Sequence, residues 1–221
     1  MAIVELREKS RFSNAFAKLE ISATALLLPA VVWFLNAGYF LILTFVAVLA
    51  HELGHYLALR LCGGEVTRLR LSLVGATMHY IGLSYGGEVI AALSGPAASG
   101  ALAVGSALLG RVFEVEAAAH LAGLSLILGV FNLLPAFPLD GGRALHAVLA
   151  HLFDLPAAEL VRGAATATIT AAMLALGVFL MLKTSNPTLA VAGLWLAHNA
   201  IFAKKMNKGS CLLRRAVVEW E

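Results

Sequence analysis

Apolar positions run through this chain in long blocks, and the blocks predict helices. From Ile21 to Ala50 there is no Asp, Glu, Lys or Arg. A hydrocarbon core about 30 Å thick is crossed by about 20 helical residues. The stretch is too long for one span and fits two, with Asn36-Ala37-Gly38 as the turn between them. It predicts a first helix over Ile21–Leu35 and a second over Phe40–Leu61. Further apolar runs predict spans over Val89–Leu109, Ala117–Leu134, Gly163–Leu182 and Thr188–Ala203. A shorter segment, Arg143–Phe153, reads as a continuation of the fourth span beyond Pro135 and Pro138. The Gly, Ala, Ser and Thr content of these runs suits close helix packing in lipid.

One region breaks the pattern. Between Glu65 and Gly87 polar and apolar residues alternate and glycines punctuate, which predicts two to four short strands. A sheet edge cannot face lipid, so these strands belong at the interface or inside the protein. The expected fold class is an all-α polytopic membrane protein with six transmembrane helices and a small β-strand insertion between helices 2 and 3. The expected organisation is a membrane core over 21–203, with the insertion at 65–87, flanked by basic segments at 1–20 and 204–221.

Composition narrows the class. Of 221 residues 60% are hydrophobic and 13% charged, against the roughly 25% charged that is usual in soluble domains. That excludes disorder and an ordinary cytosolic enzyme, and two cysteines exclude a disulfide scaffold. The basic start does not read as a cleaved signal, because the apolar run continues into a second span. With six spans, 14 of the 16 Lys and Arg residues fall on one side. The positive-inside rule then puts both termini in the cytoplasm. Cys62 and Cys211 fall on that side, as reduced thiols. The net charge of +3 requires no nucleic acid. It suits anionic lipids of the inner leaflet and names no regulatory partner.

The second span contains His51-Glu52-Leu53-Gly54-His55. Histidines at i and i+4 share a helical face and can reach one metal ion. Glu52 can reach a water at that ion without being a ligand, as a general base. A carboxylate at membrane depth costs at least about 2.5 kcal/mol, which argues for function over packing. A catalytic zinc normally has three protein ligands and an open position. The chain has two aspartates, Asp140 and Asp154. Asp140 lies in Asn132-Leu133-Leu134-Pro135-Ala136-Phe137-Pro138-Leu139-Asp140-Gly141-Gly142, a run too broken for regular helix. A straight helix from Ala117 would carry Asp140 about 35 Å along, out of the core. Unwinding around the prolines would return it to the depth of the histidines. The alternative is a cytoplasmic turn in which Asp140 caps the next helix.

These two motifs carry a resemblance. The sequence resembles the site-2 protease family of intramembrane zinc metalloproteases over residues 20–205, most closely a minimal core like the sporulation protease that processes a pro-sigma factor. The insertion is too short for a PDZ domain, and no CBS pair is expected after Ala203. The resemblance implies one zinc ion held by His51, His55 and Asp140, with Glu52 as the base. It implies that Asn132 and Pro135 shape the substrate site. It implies a single-span membrane protein substrate, cut within or near its transmembrane segment. Ser94-Gly95-Pro96 also resembles a family motif, although many members carry an Asn a few residues later, where this chain reads Ala97-Ala98-Ser99-Gly100.

Two other classes compete. A polytopic metal transporter would carry further ligating residues along a path, and a non-catalytic scaffold would not need Glu52. His79, His120, His146, His151 and His198 read as interfacial or packed, with His198 beside Asn199 the first to check. Trp33, Trp195 and Trp220 read as packing or interfacial residues. The alternating strands offer an edge on which an extended substrate segment could pair.

Overall fold

A computed structural model of the chain describes residues 19–21, 38–72 and 75–202. The first predicted span, nearly all of the basic start, the basic tail, Trp33, Cys211 and Trp220 lie outside the described residues. The chain divides into two compact units after Phe131.

The first unit begins with strand β1, Leu19–Ile21. Helix α1, Gly38–Leu61, matches the predicted second span closely. It stops where Gly63 takes a φ of +80°, a conformation that costs glycine nothing. Strands β2, Glu65–Ser72, and β3, Gly75–Ile81, form an antiparallel hairpin, and β1 pairs parallel with β2, giving the order β1-β2-β3. The strands end earlier than the expected insertion. Gly86 and Gly87 belong instead to helix α2, Tyr85–Phe113, because the Ser84 side chain caps it by accepting from Gly87 N at 3.2 Å. Helix α3, Glu116–Asn132, ends at the proline-rich run.

In the second unit the run 133–139 is not helical. Helix α4, Asp140–Leu152, then starts afresh and does not continue the fourth span as its apolar content suggested. Helix α5, Leu155–Thr184, begins eight residues before the predicted Gly163. Its start is fixed by the Asp154 side chain, which accepts from Ala157 N at 2.8 Å, and by a proline in the first turn. Helix α6 covers Thr188–Phe202.

Among the described residues α1, α2 and α5 are long and apolar enough to cross a membrane, while α3 and α6 are shorter apolar helices. The expectation of six full spans is therefore met only in part. Most large apolar side chains of these helices face outward: Ile42, Phe45, Leu108, Val112, Ile127, Leu160 and Leu182 are each more than half exposed. The buried positions are small or polar, among them Ala47, Ala91, Ala92, Ser99, Ala103 and Ser125. Large apolar groups outside and small residues inside is the arrangement that lipid favours.

Candidate metal centre

His51 and His55 lie one turn apart on α1, and both are buried. Their rings meet edge to face at 83°, and the two Nε2 atoms are 3.2 Å apart. Each Nδ1 atom is tied to α2. His55 Nδ1 donates to the Ala91 carbonyl at 2.7 Å, and His51 Nδ1 hydrogen-bonds the Ser99 hydroxyl at 2.8 Å. A carbonyl can only accept, so the neutral His55 ring carries its proton on Nδ1 and presents a lone pair at Nε2. That is the state in which an imidazole binds metal.

The approach of α1 to α2 depends on two missing side chains. A Cβ on Gly54 would lie 2.6 Å from the Ser94 carbonyl oxygen and 2.7 Å from Ala98 Cβ. A Cβ on Gly95 would run into the His55 ring, 2.5 Å from Cε1 and 2.7 Å from Cδ2. The helices can therefore meet backbone to backbone, with the imidazole laid over Gly95.

Asp140 is the first residue of α4 and is also buried. The run 133–139 is folded against that first turn. A Cβ on Gly141 would collide with the Leu133 carbonyl, and one on Gly142 would lie 2.5 Å from Ala136 O. The two glycines after the aspartate are thus what lets the run turn back so tightly. Helix α5 anchors the same run. Phe137 N donates to Thr166 Oγ1 at 2.9 Å, and the Arg162 guanidinium stands 5.2 Å over the Phe137 ring. Arg143 Nη1 lies 3.5 Å from Asp140 Oδ1. The capping alternative is not realised: Leu139 occupies the cap position and no side-chain cap bond forms.

His51, His55 and Asp140 are a group of buried residues that could hold a metal ion. The donor set fits zinc. Two nitrogens bound at about 2.0–2.1 Å in tetrahedral geometry stand about 3.3 Å apart, and the histidine Nε2 atoms already stand at 3.2 Å.

Comparison with known proteins agrees. Residues 111–176 match peptidase family M50. The chain is 34% identical over 113 residues to zinc metalloprotease MJ0392 of Methanocaldococcus jannaschii, covering 49% of this chain and 33% of that one. It is 39% identical over 137 residues to the putative zinc metalloprotease Rip3 of Mycobacterium tuberculosis, covering 55% and 33%. The chain spans about a third of the length of these curated relatives. Its fold matches the solved site-2 protease from Methanocaldococcus jannaschii with a TM-score of 0.64 and 26% identity, covering 82% of this chain and 88% of that one.

The fold is similar to that of a solved site-2 protease, and residues 111–176 resemble peptidase family M50. Glu52 is half-buried beside His51. Asn132 ends α3 half-buried, and Pro135 is exposed in the run before Asp140. Neither belongs to the ligand group. The remaining histidines in the described residues are outside it too. His120 Nδ1 pairs with Tyr39 Oη at 3.2 Å, His146 Nε2 lies 3.3 Å from Glu159, and His198 stacks on Phe202. Asn199 donates to the Trp195 carbonyl at 2.8 Å, a local bond. Sequence reasoning did not single out Ala91, Ser99, Thr166 or Arg162. For the α2 pair a signal existed. Ala91, Gly95 and Ser99 repeat every four residues, the same spacing as His51 and His55.

Proposed function

We propose that this chain is an intramembrane zinc metalloprotease that hydrolyses a peptide bond within or near the transmembrane segment of a membrane protein. The observation that carries the reading is the buried His51, His55 and Asp140 group, with both histidine Nδ1 atoms held from behind. The fold likeness to a solved site-2 protease supports it. In this reading His51 and His55 offer Nε2, Asp140 offers a carboxylate oxygen, and Glu52 is the general base. The chemistry that zinc supplies when bound is Lewis acidity, which polarises a carbonyl and brings a water's pKa towards about 7. Glu52 accepts the proton of the attacking water and passes it to the amide nitrogen as the C–N bond breaks. Asn132 and Pro135, in and beside the run that precedes Asp140, help to seat the substrate.

The substrate in this reading is a single-span protein. A transmembrane helix must open before its peptide bonds can be attacked. Strand β3 is bonded to β2 on one side, and among the described residues no strand pairs with its other edge. That edge suits an extended substrate segment. The distribution of Lys and Arg supports cytoplasmic termini and a site in the cytoplasmic half of the bilayer. A transporter is disfavoured because His51, His55 and Asp140 are the single such ligand group among the described residues.

The test is zinc content and cleavage of single-span substrates by the purified chain and by Glu52→Gln. The expected result is equal zinc and at least a hundredfold loss of cleavage in the variant, the scale of a lost acid–base group. Cleavage that survives in Glu52→Gln refutes the mechanism. Metal-dependent ion flux without proteolysis favours the transporter.

A further inference from the structure

We propose that Ser99 is a positioning residue for the metal, acting through His51. The inference rests on the metalloprotease reading above and concerns a side chain that the reading leaves unassigned. Ser99 is fully buried in the middle of α2, and its hydroxyl lies 2.8 Å from His51 Nδ1. The two histidines are held by different chemistry. His55 is fixed by a backbone carbonyl, so no substitution of the Ala91 side chain removes its partner. His51 is fixed by a side chain, so its orientation depends on residue identity at 99.

The arrangement is a short ladder between antiparallel helices. His55 meets Ala91 and lies over Gly95, and His51, one turn earlier, meets Ser99, one turn later. Helix α3 leaves room for the serine. A Cβ on Gly129 would stand 3.1 Å from Ser99 Cβ and 3.3 Å from the Pro96 carbonyl oxygen. For both histidines to offer Nε2 lone pairs to one ion, His51 must carry its proton on Nδ1, and Ser99 Oγ must accept it. Without that acceptor the bond that sets the rotation of the His51 ring is lost, and Nε2 shifts from the position 3.2 Å from its partner. Partners of this kind are typically worth 10–100-fold in metal affinity.

The experiment uses the full chain, purified in detergent, as the parent and as Ser99→Ala and Ser99→Thr. Three quantities are read: zinc affinity by competition with a chelating dye, the visible spectrum with Co²⁺ in place of zinc, and the thermal midpoint of the metal-free protein. Ser99→Ala removes one oxygen and leaves every carbon in place. The expected result is zinc affinity about 10–100-fold weaker, a displaced or weakened Co²⁺ band, and a metal-free midpoint lowered by no more than the loss of one buried hydrogen bond. Ser99→Thr, which keeps the hydroxyl, is expected to restore affinity and band. Zinc affinity in Ser99→Ala equal to the parent's overturns the proposal. So does a lowered metal-free midpoint in both variants, or failure of Ser99→Ala to fold, since either assigns Ser99 to packing. A parent chain that binds no zinc overturns the metalloprotease reading itself, and this proposal with it.

Discussion

Gly95→Ala offers a sharp test of how α2 builds the site. The added methyl would sit 2.5 Å from Cε1 and 2.7 Å from Cδ2 of His55. Ordinary carbon contacts lie at about 3.5–4.0 Å, so the ring must retreat by about 1 Å. Neither side yields easily. The Ala91 carbonyl holds the ring at 2.7 Å from one edge, and Gly54, packed against the Ser94 carbonyl, keeps α1 close to α2. Metal–ligand distances are held within about 0.2 Å. A shift of that size therefore costs His55 its place as a ligand in the proposed site. Zinc affinity is expected to fall by at least about a hundredfold and cleavage with it, since a 1 Å misplacement alone costs about a hundredfold in rate. The matched control is Gly100→Ala, five residues along the same helix, where a Cβ would meet nothing within 4 Å. It gains up to about 1 kcal/mol of helix propensity and should leave zinc binding intact. Zinc titration of both variants, with cleavage of a single-span substrate, gives the comparison. Equal zinc affinity in Gly95→Ala and Gly100→Ala would refute the claim that the His55 ring is seated on Gly95.

Thr166→Val keeps the side-chain shape but removes the acceptor for Phe137 N, so the variant should lose about 1–3 kcal/mol of stability and release zinc faster. Thermal unfolding and zinc exchange check this, and parental values for both would show that Thr166 does not hold the run before Asp140. Asp154→Ala removes the α5 cap that accepts from Ala157 N, costing about 0.5–2 kcal/mol in thermal unfolding with zinc content unchanged. Met78→Pro tests the outer edge of β3: the His79 carbonyl accepts from Thr67 Oγ1 on β2, so Met78, one residue earlier, faces away from β2. Losing one substrate bond worth about 0.5–1.5 kcal/mol should lower kcat/KM about two- to tenfold, and unaltered cleavage would remove β3 as the docking edge.

What the sequence revealed and what it hid divide along one physical line. A metal site is legible where its geometry is carried by a single local element. The spacing of His51 and His55 implies one helical face whatever the rest of the fold does. Asp140 was legible for a related reason: the prolines before it forbid regular helix whatever packs nearby, and the glycines after it leave its first turn bare of side chains. The structure makes those glycines the contact points of the folded-back run. The insertion ended too late in the sequence reading because Gly86-Gly87 resembles strand punctuation, while the capping bond from Ser84 that places both residues in α2 is made by one hydroxyl. The start of α5 was missed in the same way, since Glu159 and Arg162 look like loop residues until the Asp154 cap is seen.

Ser99, Ala91 and Thr166 belong to a different category. Each acts on a residue 29 to 48 positions away. None has a chemistry that a lone sequence would single out, because serine, alanine and threonine are the ordinary small residues of packed membrane helices. Their roles come from register alone. Four-residue spacing on α1 faces four-residue spacing on α2, and that matching brings a carbonyl to one histidine and a hydroxyl to the next. A chain with so few charged groups has little choice about how to orient a metal ligand at depth. Lacking carboxylates to spare, it uses the backbone and the smallest hydroxyl, groups that cost little to bury once hydrogen-bonded. The scarcity of charge that marks this chain as a membrane protein is also the reason that the supports of its proposed metal ligands are hard to see in sequence.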